Sequence, residues 1–364
     1  MGARVAINGT SLTSRPSGLA VYTYEVARRI VSAMPGSFVW RHGRRISQFQ
    51  HYPADGVDEP GIKARLWADF VGVPRAARQG SANLVFSPTQ IDAGWCGSIP
   101  HVVTVHDLTP LLFPEYHRRQ KVWFRHVLPA ILRRSDRIIV PSHSTGRDVQ
   151  EYFDVDVPIA VIPNGVDHCR FRPAALQQVE AFKTHHGLDE YLLYVGNLFP
   201  HKNVPRLIRA HSRSRIDIPL VVAGQGRERF RADLESAVRD HWRRDLVRFL
   251  DYVRADEIPL LYSGAMALVF PSLYEGFGLP ALEAMACGVP VVASTMGSIP
   301  EVVGSAAILV QPNSIDDMAT AMRILYEDAE KRRDLARRGL ARAKEFTWQR
   351  CAERTVRLLQ DVLE

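Results

Sequence analysis

The chain has 364 residues, 46% hydrophobic and 23% charged, which excludes a disordered or fibrous protein and suits two domains rather than one core. No apolar run approaches the roughly 18–20 residues that a membrane-spanning helix needs. The net charge of +7 is uneven: 21 Lys+Arg face 15 Asp+Glu through residue 180, and 25 face 24 after it. A basic first half can meet nucleic acid, an anionic membrane or a phosphorylated substrate. No nucleic-acid-binding motif is present, so the last two are the expected partners.

In chain order, short β-branched runs alternate with longer stretches of helical periodicity. The first half offers strands at Val5–Asn8, Leu84–Phe86, Val102–Val105, Ile138–Val140 and Ile159–Ile162. The second offers Leu192–Val195, Leu220–Ala223, Val247–Leu250, Ala267–Phe270, Val291–Ala293 and Ile308–Val310. Many are apolar throughout, as a parallel strand covered on both faces requires. The expected fold is therefore α/β, with two Rossmann-like, doubly wound domains facing across a cleft. Asn164-Gly165-Val166-Asp167 and Pro173 mark the break, giving domains 1–173 and 174–346. Residues 347–364 close the chain as one amphipathic helix expected to pack back on the first domain.

Cys96, Cys169, Cys287 and Cys351 are scattered, fitting four unpaired, buried thiols in a reducing compartment. The N-terminal residues pass into strand-like sequence without a signal-peptide core. A cytoplasmic location is expected, with peripheral contact at the inner face of the membrane. For that contact the candidate is Tyr116–Arg134, which mixes Arg118, Arg119, Lys121, Arg125, Arg133 and Arg134 with an apolar face. An ordinary helix packed on the first domain explains the same pattern.

The most informative segment runs from Phe270 to Val291. A strand ends at Pro271, Ser272 follows, and a glycine-bearing loop, Glu275-Gly276-Phe277-Gly278, leads to a helix beginning near Leu279. Pro280 suits the first helical turn, and Gly288 and Pro290 stop the helix. Gly276 and Gly278 allow close backbone approach to a ligand, and free N–H groups at a helix start attract phosphate. Glu275 and Glu283 would repel a diphosphate, so they suit hydroxyls of a sugar and a ribose.

This string, Glu-Gly-Phe-Gly-Leu-Pro through Glu-Ala-Met-Ala-Cys-Gly-Val-Pro-Val, resembles the retaining GT-B glycosyltransferases of family 4. Their signature is two glutamates separated by seven residues. The resemblance extends through Ser294–Val302 and Phe346-Thr347-Trp348. It implies that Glu275 contacts the donor sugar and Glu283 the ribose, with Gly276, Phe277, Gly278, Leu279 and Ser272 around the donor. It also implies that Lys202, in Tyr194-Val195-Gly196-Asn197-Leu198-Phe199-Pro200-His201-Lys202-Asn203, pairs with the diphosphate and stabilises the leaving group. Related enzymes often place an arginine where this chain has Asn197 or His201; Arg227 is one candidate to replace it.

In the first half, Val103-Thr104-Val105-His106-Asp107-Leu108 puts His106 at a strand's carboxyl end, near the transferred sugar by the same resemblance. A His–Asp pair that only caps the strand is the competing reading. Gly18, in a turn leading into a helix, can offer backbone N–H groups to donor or acceptor. Asp154-Val155-Asp156 is read as a polar turn, and no metal or cofactor is expected.

The resemblance implies transfer of a hexose from a nucleotide sugar, most like GDP-mannose, to a hydroxyl of a glycan or lipid-linked acceptor in polysaccharide or O-antigen assembly. The front-face reaction it implies retains anomeric configuration and needs no covalent nucleophile. A UDP-hexose donor stays open, as do a sugar-nucleotide epimerase and a non-catalytic sugar-nucleotide binder. A glycosidase is disfavoured because its carboxylates would sit in a phosphate-type loop. Residues 36–80, with Arg41, Arg44 and Arg45, show little periodicity and are read only as helping shape the acceptor side.

Overall fold

The computed structural model describes residues 4–12, 17–41, 43–47, 61–226, 230–250 and 253–364. The chain forms two compact units. The first comprises residues up to Gly165 together with Thr347–Glu364; the second is continuous from Val166 to Phe346.

The first unit contains β1 (Val5–Asn8), β2 (Phe38–Arg41), β3 (Arg44–Ile46), β4 (Leu84–Ser87), β5 (His101–Thr104), β6 (Arg137–Val140) and β7 (Ile159–Val161). They form a seven-stranded sheet in the order β3-β2-β1-β4-β5-β6-β7, parallel except where β2 meets β3. Every residue of β1, β4 and β5 is buried, because helices cover both faces. Fully burying each large aliphatic side chain there contributes roughly 1.5–3 kcal/mol.

The helix Trp348–Asp361 belongs to this unit. Thr347 caps it by accepting the Arg350 N–H, and Trp348, Cys351 and Leu359 enter one core with Val5, Ile7, Tyr22 and Phe86. The stretch expected as one basic helix is three contiguous pieces, Arg118–Val122, a π-turn at Trp123–Val127 and Leu128–Leu132. Phe124, Leu128, Ile131 and Leu132 are its buried face. The side chains of Arg118 and Arg119 lie outside what is described.

The second unit contains β8 (Leu192–Val195), β9 (Leu220–Ala223), β10 (Val247–Leu250), β11 (Ala267–Phe270), β12 (Val291–Ser294) and β13 (Ala307–Val310). All pairs are parallel, in the order β10-β9-β8-β11-β12-β13. Numbered from one, that is the 3-2-1-4-5-6 order of a dinucleotide-binding fold, with its switch point between β8 and β11. Within this unit two buried imidazoles touch: His211 Nδ1 lies 2.9 Å from His241 Nε2.

Two expectations are corrected. The division falls at Gly165/Val166 rather than after 173, because Val166 and Phe171 are part of the second unit's core. Residues 36–80, read from the sequence only as helping shape the acceptor side, include β2 and β3, an antiparallel hairpin turned at Gly43, whose φ is 83°. Cys169 is exposed, whereas the other three cysteines are buried.

Candidate functional site

In an open parallel sheet the loops leaving the carboxyl ends of the strands beside the switch point form the ligand crevice. In the second unit these loops follow β8 and β11. After β8 the chain runs through Gly196–Phe199, a single 3-10 turn at Pro200–Lys202 and then the helix Val204–Ser214. After β11 it runs from Pro271 to Gly278 and enters the helix Leu279–Ala286.

Backbone and amide contacts weld these loops together. The Leu273 N–H donates to the His201 carbonyl at 2.7 Å. Asn203, in the left-handed region at φ 65°, donates its amide to the carbonyls of Pro271 at 3.1 Å and Pro312 at 2.7 Å. Lys202 is thereby held facing Glu275. Its Nζ lies 2.6 Å from Glu275 Oε1, and the two side chains are only 14% and 12% exposed. The pair is partly desolvated, so leaving either charge alone is costly.

The Glu275 backbone is fixed from the other side. Its carbonyl accepts hydrogen bonds from the Ser298 N–H at 3.2 Å and the Ser298 hydroxyl at 2.9 Å. Gly297 permits that approach: its φ is 63°, and a Cβ there would stand 2.8 Å from the Glu275 oxygen. Gly278, at φ 104°, turns the loop into the next helix. Pro280 sits in that helix's first turn, leaving the N–H groups around Leu279 free of intrahelical partners.

The other sequence-selected residues divide. Gly276 and Gly278 are buried in the loop. The Phe277 side chain packs inward, edge-on to Phe346 at 5.8 Å, so only its backbone is left for a ligand. Leu279 likewise packs against the core. Ser272 is fully buried, and its hydroxyl has no hydrogen-bond partner among the described residues. Asn197 is exposed, and its side chain accepts the Phe199 N–H at 3.3 Å, closing a local turn. Arg227 falls outside the described residues.

Glu283 does not join the Lys202–Glu275 pair; the Tyr262 hydroxyl donates to its Oε2 at 2.9 Å. Burial pushes the Glu283 carboxyl up to about 7, and the Tyr262 hydrogen bond and the Arg170 charge only partly oppose that rise. Tyr262 and Arg170 escaped sequence reasoning. They lie 21 and 113 positions from Glu283, and no spacing rule links them to it.

In the first unit His106 follows β5 and is buried. Its Nε2 lies 2.8 Å from the Pro88 carbonyl, so that nitrogen carries the proton and Nδ1 is left as an acceptor. The His106 N–H donates to Gln90 Oε1 at 3.1 Å, and the Tyr22 ring meets the imidazole edge-on at 4.4 Å. Burial lowers the His106 pKa, keeping the ring neutral. Asp107 accepts the Thr109 N–H at 2.9 Å, starting the next short helix. Gly18 is the first residue of the helix Gly18–Ala33, capped by Ser17; Ser14–Pro16 before it lie outside the described residues. Asp154 is a left-handed helix end at φ 46°, as a polar turn requires. Among the described residues no three His, Cys, Asp or Glu side chains gather as a metal-ligand set.

Comparison with known proteins decides the family. Residues 178–342 match the family described as glycosyl transferases group 1, and residues 16–170 match glycosyltransferase family 4. O-antigen chain mannosyltransferase B of Escherichia coli is 33% identical over 277 residues, 71% of each chain. The chain belongs to the family 4, group 1 glycosyltransferases. Another relative of this glycosyltransferase, O-antigen chain mannosyltransferase RfbU of Salmonella typhimurium, is 32% identical over 61% of this chain and 59% of its own length. Among solved structures, sucrose-phosphate synthase from Thermosynechococcus elongatus superimposes with a TM-score of 0.82 at 21% identity, covering 99% of both chains. WaaG, a glycosyltransferase involved in lipopolysaccharide biosynthesis, gives 0.72 at 18% identity, covering 98% of this chain and 99% of its own. These likenesses establish the two-domain GT-B fold.

Proposed function

We propose that this glycosyltransferase moves mannose from GDP-mannose to a hydroxyl of a glycan or lipid-linked acceptor, with retention at the anomeric carbon. The second unit holds the donor and the first the acceptor. The observation that carries the donor site is the Lys202–Glu275 pair beside the glycine-turned helix start at the switch point. A cation and helix N–H groups there suit a diphosphate, and a carboxylate held against the cation suits sugar hydroxyls. The names of the O-antigen mannosyltransferases support the choice of mannose.

In this reading Lys202 turns from Glu275 toward the diphosphate as the donor enters, and it neutralises the charge that develops on the leaving group. The bond from the anomeric carbon to the phosphate oxygen breaks and a bond to the acceptor oxygen forms on the same face. The departing phosphate oxygen takes the acceptor proton. Glu275 and the neutral His106, with its Nδ1 lone pair, orient hydroxyls. No metal or further cofactor takes part.

Thermal-shift titration with GDP-mannose, UDP-glucose, GDP and UDP tests the donor site, since a ligand of the folded state must raise the melting temperature. A guanine-selective shift lost in Lys202→Ala is expected. A uracil-selective shift refutes mannose transfer from GDP-mannose, and no shift with any nucleotide refutes the donor site. NMR of the product finding only the inverted anomer refutes retention. Peripheral contact with anionic lipid belongs to the Arg118–Leu132 stretch, where Val122, Arg125 and His126 are exposed. Vesicle binding without dependence on anionic lipid refutes that part.

A further inference from the structure

We propose that Tyr262 is a positioning residue for the donor: its phenol holds one oxygen of the Glu283 carboxyl so that the other receives the ribose hydroxyls. The inference rests on the assignment of Glu283 to the ribose and names the residue that makes Glu283 fit for it.

Tyr262 lies on the helix Ile258–Ser263 and is fully buried, while Glu283, on the helix Leu279–Ala286, keeps part of its surface open. The 2.9 Å hydrogen bond therefore joins a fully buried donor to one oxygen of a partly buried residue. The phenol has little freedom. Phe171 meets its ring edge-on at 6.1 Å, and Arg170 lies over Phe171 at 4.8 Å with its guanidinium donating to the Ala255 carbonyl at 2.6 Å. The segment after Gly165 thus braces the Tyr262 helix, which in turn holds Glu283.

The chemistry follows from what a carboxyl can accept. An ionised carboxylate takes hydrogen bonds on both oxygens, whereas a protonated one must place its own hydrogen. Burial drives Glu283 toward the protonated form. The groups facing it are Tyr262, which donates to the ionised form, and Arg170, whose charge favours it. Cys287, the residue that caps the end of the Glu283 helix, is a thiol that burial pushes up to about 12, so it carries no charge at neutral pH. Near neutrality the phenol therefore sets how much of Glu283 is ready to accept a sugar diol.

Tyr262→Phe keeps the ring and removes the donor. Donor affinity would be measured by calorimetry from pH 6 to 9 with GDP-mannose, and in parallel with UDP-glucose, so that the choice of base does not decide the result. In the wild type the dissociation constant should rise on the acid side of an inflection near pH 7, where the Glu283 carboxyl titrates. In Tyr262→Phe the inflection should move up by about one pH unit, weakening binding about five-fold at pH 7 and hardly at pH 9. A Tyr262→Phe profile that superimposes on the wild type, while Glu283→Gln weakens binding, overturns the inference alone. Glu283→Gln without effect, or no binding of either nucleotide sugar by the wild type, overturns the assignment of Glu283 as well. Should Tyr262→Phe not fold, 3-fluorotyrosine placed at position 262, which keeps the ring and is a stronger donor, should lower the inflection instead, and an inflection left near pH 7 refutes the proposal.

Discussion

The His211–His241 pair should make the second unit acid-labile by an amount that the structure sets. The Arg243 backbone N–H donates to His241 Nδ1 at 3.0 Å, which leaves the His241 proton on Nε2. That proton faces His211 Nδ1 at 2.9 Å, and the His211 proton, now on Nε2, meets the Ile218 carbonyl at 3.0 Å. All three bonds of this chain are made together only while both rings are neutral. A further proton on either ring sets two donors face to face. Of the charges that act on His241, Asp245 favours the imidazolium and Arg215 opposes it, and burial outweighs both in lowering the His241 pKa. Burial and the neighbouring ring lower the His211 pKa from 6.5 to about 4. The unfolded chain therefore binds a proton at a higher pH than the native one does. The stabilisation is complete above pH 6.5 and is lost as pH falls toward 4, by about 2 kcal/mol at pH 5 and about 3 kcal/mol at pH 4. Amide exchange of the Val204–Ser214 helix and thermal melts, each followed from pH 7.5 to 4.5, would measure it. His211→Gln should be less stable at pH 7.5 yet show a shallower pH dependence. An unchanged slope in that variant would refute the neutral chain.

Other outcomes are equally specific. Gly297→Ala must place a methyl group 2.8 Å from the Glu275 carbonyl at a φ of 63°. It should cost about 1–2 kcal/mol in a melt and weaken donor binding, and a variant that matches the wild type in both would show that the Glu275 loop is not held there. Lys202→Ala should lower kcat/KM by about 10²–10³-fold, because it removes a charge from the leaving group and leaves Glu275 without its partner. Trp348→Ala should cost about 3–5 kcal/mol, and a calorimetric scan should show the loss in the first unit's transition alone.

Most strands were legible because a parallel strand buried on both faces must be apolar along its whole length, as Leu220–Ala223 and Ala267–Phe270 are. The edge strand β3 was not. Arg44 and Arg45 are exposed on an edge strand, so no buried face imposes a pattern on that segment. The glycine-turned entry to the helix at Leu279 could be read from the order of Gly278 and Pro280 alone. The meeting of Lys202 with Glu275, 73 residues apart, could not be derived from any local period. It follows from strand order, which places β8 beside β11, and only the family resemblance had assigned both residues to one ligand. Tyr262 marks the limit of such reading: a buried tyrosine in a short helix looks like any other core residue until its hydroxyl is seen to face a carboxyl.

The return of Thr347–Glu364 to the first unit has a consequence for how the protein is made. Translation delivers β1 to β7 first, yet the core around Val5, Tyr22 and Phe86 still lacks Trp348, Cys351 and Leu359 when the second unit is already complete from Val166 to Phe346. The helix those early strands await emerges only after the whole second unit, so the first unit's core closes after that of the unit that follows it.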